Sequence, residues 1–261
     1  MQLSVSSDKI SQYCALVDAV NTVDTAYLNG MGLEPFPLCD EINLWAYWQG
    51  GRSHLNAELL LVGQDWGALS YGGETIAKAL QGDSYNRDTF CYMTDNYNPT
   101  NLNLCELFSQ IGERYDLRHD CNTYEDLFFT NFVPWYRTGN TISGEFRKEW
   151  AEASTPFFKK LVSIIQPKVI LCLGKSVFDA VLRTGAPSQL PESKYYNKII
   201  EEGSVEVIFS GVKTQVFPLA HCGTYGTMNR NARKGIPKER MLDLQKQDWR
   251  RVSEQLRRET T

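Results

Sequence analysis

The sequence predicts an α/β fold: a three-layer, doubly wound arrangement around a central, mainly parallel sheet of four to five strands. Apolar runs of strand length recur, the clearest being Leu59-Leu60-Leu61-Val62-Gly63 and Val169-Ile170-Leu171-Cys172-Leu173. Both are continuous rather than alternating, as in strands covered on both faces. Other stretches carry apolar residues at helical spacing, so that strand and helix alternate as in βαβ units. With 261 residues, 42% hydrophobic and 22% charged, the chain can build one substantial core, and a single domain over 1–261 is expected.

The first helix is expected from Asp8 to about Leu28, with Ile10, Cys14, Val17, Val20 and Val23 on one face, Asp8 as cap and Gly30 as stop. After a loop with Pro35 and Pro37, Glu41 to Trp48 reads as a short aromatic helix ending at Gly50-Gly51. The strand Leu59 to Gly63 delivers Gln64, Asp65, Trp66 and Gly67 to its carboxyl end, where open α/β sheets place their working groups. Asp65 as a simple helix cap is the plainer alternative. The polar, aromatic passage from Ser70 to Thr100 is too long for a mere connection, and its aromatic content favours a functional loop.

Thr100 can cap a helix that carries Leu104, Leu107, Phe108 and Ile111 on one face. A second strand is expected over Leu127 to Val133, ended by Pro134, followed by helical pattern from about Ser143 to Ile165 that Thr155-Pro156 divides in two. The strand from Val169 to Leu173 is closed by Gly174 and followed by a helix through Val177, Ala180, Val181 and Leu182. Strands from Val205 to Phe209 and from Gln215 to Leu219 flank a turn at Ser210-Gly211. A charged helix from about Lys238 to Arg257 ends the chain.

Composition excludes several classes. The seven cysteines are odd in number, scattered and without a C-x-x-C pair, which argues against a disulfide framework or a zinc knuckle. Three histidines are too few for a histidine-rich metal site, and no metal or other cofactor is expected. A net charge of -4 argues against coating nucleic acid through bulk charge, while leaving room for a local basic face. No leader-like start and no bilayer-length apolar stretch is found, so a soluble, cytoplasmic, monomeric protein without membrane contact is expected.

Asn131, closing the second strand, and His221, just after Leu219, stand in the same register as Asp65. Strand ends from different units converge on one crevice in such sheets, so a carboxylate, an amide and an imidazole are expected to line one pocket. An asparagine at a strand end also serves as a turn former, and a lone loop histidine as a surface residue.

These pieces resemble the uracil-DNA glycosylase superfamily, whose members carry a first motif of the type G-Q-D-P-Y or G-x-x-P-G, a later strand asparagine and a third motif of the type H-P-S. Here they are Gly63-Gln64-Asp65-Trp66-Gly67, Thr130-Asn131-Phe132-Val133-Pro134 and His221-Cys222-Gly223, and the Pro167-strand-Gly174 segment fits as well. The resemblance spans roughly Leu59 to Arg230 and implies a single uracil-DNA-glycosylase-like domain that excises uracil or another deaminated base from single- or double-stranded DNA. Breaking a base–sugar bond builds positive charge on the sugar and negative charge on the base, which calls for a fixed anion and a hydrogen-bond donor. Asp65 and His221 are the catalytic candidates for these roles.

By the same resemblance, Asn131 pairs with the base edge, Gln64 and Trp66 belong to the substrate site, and Phe90 is the candidate aromatic wall, with Tyr92 behind it. Thr224, Tyr225 and Met228 would meet DNA, Tyr225 or Met228 filling the vacated base space. Arg230, Arg233 and Lys234, with Lys238 and Arg240, form a local basic stretch suited to phosphate or to an ordinary solvated surface. Gly67 replaces the bulky Tyr of the most uracil-specific branch, Trp66 replaces Pro, and Cys222-Gly223 replaces Pro-Ser. Trp135 and Tyr136 stand where iron–sulfur branches place a Cys, which argues against a cluster. The alternative is a protein of this fold that binds a base, nucleotide or nucleic acid without cutting it. A nucleotide-using enzyme of another doubly wound family is a third reading, and neither G-x-G-x-x-G nor a phosphate-loop motif follows any strand.

Overall fold

The computed structural model describes residues 5–35, 51–68, 99–115, 126–139, 144–231, 237 and 240–258. In chain order its strands are β1 (Leu33–Glu34), β2 (Leu59–Gly63), β3 (Leu127–Asn131), β4 (Tyr136–Arg137), β5 (Val169–Leu173), β6 (Val205–Phe209) and β7 (Val212–Leu219). The α-helices are α1 (Ser7–Asn21), α2 (Thr25–Gly30), α3 (Pro99–Phe108), α4 (Lys148–Ile165), α5 (Lys175–Gly185), α6 (Tyr196–Glu202), α7 (Thr224–Asn231) and α8 (Asp243–Arg258). Five strands form the central sheet in the order β3-β2-β5-β7-β6, parallel except for β6, which runs antiparallel to β7. The mainly parallel, three-layer α/β architecture expected from the sequence is the one found.

Both faces of the sheet are covered, which is why its strands read as unbroken apolar runs. Leu60, Val62, Phe128, Ile170 and Val216 join the core beneath α1, α4 and α5. Leu59, Leu61, Phe129, Leu171 and Leu219 join the core beneath α3 and α8, where Phe108 meets Trp249 edge to face at 4.8 Å. Burying each such side chain contributes about 1.5–3 kcal/mol, so the two cores hold the sheet's carboxyl edge firmly enough to carry a site. The β6–β7 connection is a tight turn at Ser210 and Gly211, both at positive φ (51° and 87°), the twist that suits an antiparallel hairpin.

Several boundaries differ from expectation. The first helix is two: α1 stops at Asn21, and Asp24 starts α2 afresh by accepting the Tyr27 amide at 2.7 Å. Ser6 rather than Asp8 caps α1. Pro156 does not divide α4, because Pro156 and Glu152, whose carbonyl loses its helical partner, both lie on the exposed side where water can serve. β3 ends at Asn131 rather than Val133, β7 begins at Val212 rather than Gln215, and the last helix begins at Asp243 rather than Lys238. The short pair β1–β4 and helix α6 had no counterpart in the sequence reading. The expected aromatic helix from Glu41 to Trp48 lies outside the described residues. No helix among the described residues is long and apolar enough to cross a membrane.

Candidate active site

β2, β3 and β7 are parallel, so Gly63, Asn131 and Leu219 end at the same edge of the sheet. Asp65 follows β2 by two residues and His221 follows β7 by two. The strand order puts Asn131 beside the end of β2 and His221 two strands away, on the order of 10 Å at ordinary strand spacing.

Asp65 is held tightly. Its Oδ1 accepts the Gly67 amide and Arg137 Nε, each at 2.8 Å. Its Oδ2 accepts Arg137 Nη2 at 2.7 Å and Gln64 Nε2 at 2.8 Å. Four donors fill the four acceptor directions of a carboxylate. The two charged side chains keep only 6% (Arg137) and 4% (Asp65) of their surface exposed. Gly67 turns the chain at φ 69°, a conformation that favours glycine, so a tyrosine here would be strained whatever the substrate.

Asn131 is seated by a glycine. A Cβ on Gly63, its register partner, would lie 2.3 Å from Asn131 Oδ1, so the carboxamide occupies space only a glycine leaves open. Among the described residues none hydrogen-bonds to that carboxamide, which can both donate and accept. A recess lined by Thr130, Asn131, Phe132, Pro134, Phe157, Phe158 and Leu161 lies between the end of β3 and α4.

His221 is fixed from behind. The Gly223 amide donates to its Nδ1 at 2.9 Å, so Nδ1 is an acceptor and the neutral ring carries its proton on Nε2. Burial lowers its pKa below the usual 6.5, although the residue as a whole is exposed to solvent. A Cβ on Gly226 would lie 2.1 Å from the His221 carbonyl oxygen, so the first turn of α7 packs directly on this backbone. From α8, Gln245 Nε2 donates to the carbonyls of Ala220 and His221 at 3.2 and 3.3 Å, and from α3, Asn103 Nδ2 donates to that of Cys222 at 2.7 Å. Burial raises the pKa of the Cys222 thiol, keeping it neutral beside the imidazole.

The remaining expected residues divide. Tyr225 (82% exposed) and Met228 (45%), three residues apart on α7, share an open face close to His221, and Thr224 is exposed at the start of the helix. Gln64 serves Asp65, and Trp66 stacks on Tyr136 at 5.6 Å, so one indole face is already taken. Arg230 needs correcting as a phosphate contact. It is 3% exposed and forked onto Asp248 at 2.8 and 3.1 Å, with Glu201 at 3.3 Å, so the fold neutralises its charge. Phe90, Arg233 and Lys234 lie outside the described residues, as do Tyr92 and Lys238. The sequence reading missed Arg137; the only local signal was an arginine six residues beyond Asn131 in an otherwise aromatic segment. Among the described residues no group of three or more His, Cys, Asp or Glu gathers to hold a metal ion.

The sheet brings a carboxylate, a carboxamide and an imidazole to its carboxyl edge, the edge at which doubly wound α/β proteins place their sites. The chain belongs to the uracil-DNA glycosylase superfamily: the family model described as Uracil DNA glycosylase superfamily matches residues 50–245. No curated protein matches the chain.

Proposed function

We propose that the protein hydrolyses the N-glycosidic bond of uracil, or of another deaminated base, in DNA, using side chains alone. The observation that carries the reading is the pairing, on one sheet edge, of a rigidly held carboxylate with an imidazole whose tautomer is fixed to donate from Nε2. As the bond between C1′ and the base nitrogen breaks, its electron pair leaves with the base, where the His221 Nε2–H stabilises the growing negative charge. Asp65 stabilises the positive sugar from the other side while the oxygen of a water bonds C1′, the released proton ending on the departing base. The Asn131 carboxamide, held in place above Gly63, selects the base edge by donating and accepting at once. Tyr225 and Met228 suit the space an extruded base leaves behind. The same reading makes DNA the partner of a monomeric, cytoplasmic protein.

A second reading, a protein that binds a base or nucleic acid without cutting it, is favoured by the four bonds already on Asp65, which leave no acceptor direction for a water proton. Labelled oligonucleotides containing uracil, hypoxanthine or xanthine, treated with alkali to cut any abasic site, separate the two. Under the first reading wild type forms abasic sites. Asp65→Asn and His221→Ala then keep binding but each lose on the order of a hundredfold or more in turnover, while Asn131→Ala erodes choice of base. Binding of uracil-containing DNA with every glycosidic bond intact after long incubation supports the second reading.

A further inference from the structure

We propose that Arg137 is the positioning residue of this site, resting on the glycosylase reading above: it fixes the Asp65 carboxylate in one orientation, so that the carboxylate acts by its field rather than as a proton acceptor. The support for Arg137 extends well beyond a single ion pair. Its backbone lies in β4, paired with Leu33 of β1, and its own amide donates to the Gly67 carbonyl at 2.8 Å. Its guanidinium lies over the Trp150 ring at 4.8 Å, and that indole is anchored in turn by Trp150 Nε1 donating to the Met31 carbonyl at 2.8 Å. Arg137 Nη2 and Gln64 Nε2 both reach the Gly144 carbonyl at 3.3 Å. The turn 65–67, strand β4, helix α4 and the chain around Met31 therefore converge on one guanidinium fork, whose planar geometry matches both oxygens of Asp65. A flexible ammonium does not reproduce that fork.

Two consequences follow for the reaction. With all four acceptor directions taken, Asp65 does not remove a proton from water while the fork is closed, so its contribution is the direction of its negative field. That contribution depends on placement, and a displacement of about 1 Å at a preorganised group reduces turnover by on the order of a hundredfold. A purely structural ion pair makes a different prediction: loss of stability, with the folded fraction turning over at the full rate.

The test measures single-turnover excision from a uracil-containing oligonucleotide by wild type, Arg137→Lys, Arg137→Gln, Asp65→Asn and the double variant Asp65→Asn with Arg137→Gln, beside binding and thermal melting. Arg137→Lys keeps the charge and protects folding if Arg137→Gln is too unstable to use. The expected result is a tenfold to hundredfold loss of turnover, roughly, in the Lys variant with substrate binding unchanged, a larger loss in the Gln variant, and a double variant no slower than Asp65→Asn alone. Folded Arg137→Lys turning over at the wild-type rate, or losses that multiply in the double variant, overturns the inference while leaving the glycosylase reading intact. A wild type that excises nothing defeats both, and is recognised before any variant is made.

Discussion

One backbone amide decides what His221 can do. With the Gly223 N–H on Nδ1, a second proton on the ring would face a donor rather than an acceptor, which agrees with burial lowering the pKa below 6.5. The neutral, Nε2-protonated ring therefore persists into mildly acidic solution. The folded pKa lies below the unfolded value, so the unfolded chain takes up the proton first. This contribution to stability is complete above 6.5 and is lost as pH falls through the window down to the lowered pKa. The same ordering applies to turnover. If the neutral ring donates to the leaving base, the acidic limb of the turnover–pH profile has its midpoint below 6.5 and disappears in His221→Gln. A limb centred at or above 6.5 contradicts this. At this scale the sequence revealed the types and order of Asp65, Asn131 and His221, because each follows an apolar run. It could not reveal that Gly63 clears the space for Asn131, since that approach joins residues on different strands.

α7 carries the exposed Tyr225 and Met228, and it can present them in fixed directions only if its other face is tied down. Arg230 supplies the tie from α7 to Asp248 of α8 and Glu201 of α6, and Asn197 Nδ2 adds a bond to the Asn229 carbonyl at 3.1 Å. Arg230 and Asp248 are each 3% exposed, so removing one partner strands a buried charge. We expect Arg230→Ala to destabilise the protein by about 3–5 kcal/mol, visible as a lower urea midpoint. Arg240→Ala, whose ion pair with Asp243 is solvent-exposed, should change stability by no more than about 0.5 kcal/mol. An Arg230→Ala protein of unchanged stability that binds DNA less well would restore the phosphate role assigned from sequence. That assignment failed for a physical reason: a basic run has the same appearance whether its members face solvent or reach back onto a later helix. Pro156 misled similarly, since its local preference for a helix start yielded to tertiary packing of the apolar face of α4.

For the molecule as a whole, the parallel sheet was legible because strands buried on both faces leave an unmistakable run of apolar residues, and β5 matched from Val169 to Leu173. The antiparallel β6 left a weaker sign, the alternation of outward Glu206 and Ile208 with inward Val207 and Phe209. The Asp65–Arg137 pairing left none, because its members stand 72 residues apart and nothing local to either names the other as its partner. Net charge belongs to this scale as well. With 27 basic against 31 acidic residues, the average field of the protein repels a polyanion, so any DNA binding must come from a local basic face. Since Arg230 is already neutralised by Asp248 and Glu201, the charges left to consider in the basic run are Arg233, Lys234, Lys238 and Arg240, of which Arg240 pairs with Asp243. Changing Arg233, Lys234 and Lys238 together to glutamine is therefore expected to weaken binding of uracil-containing and uracil-free duplexes alike. It should also flatten the plot of log affinity against log salt by about 0.9 for each phosphate no longer neutralised, because fewer counterions are released on binding. Affinity titrations across a range of salt concentrations, with both duplexes, measure this directly. A slope identical to that of wild type would mean that no phosphate is held there, and would point to a free base or nucleotide as the ligand of the crevice.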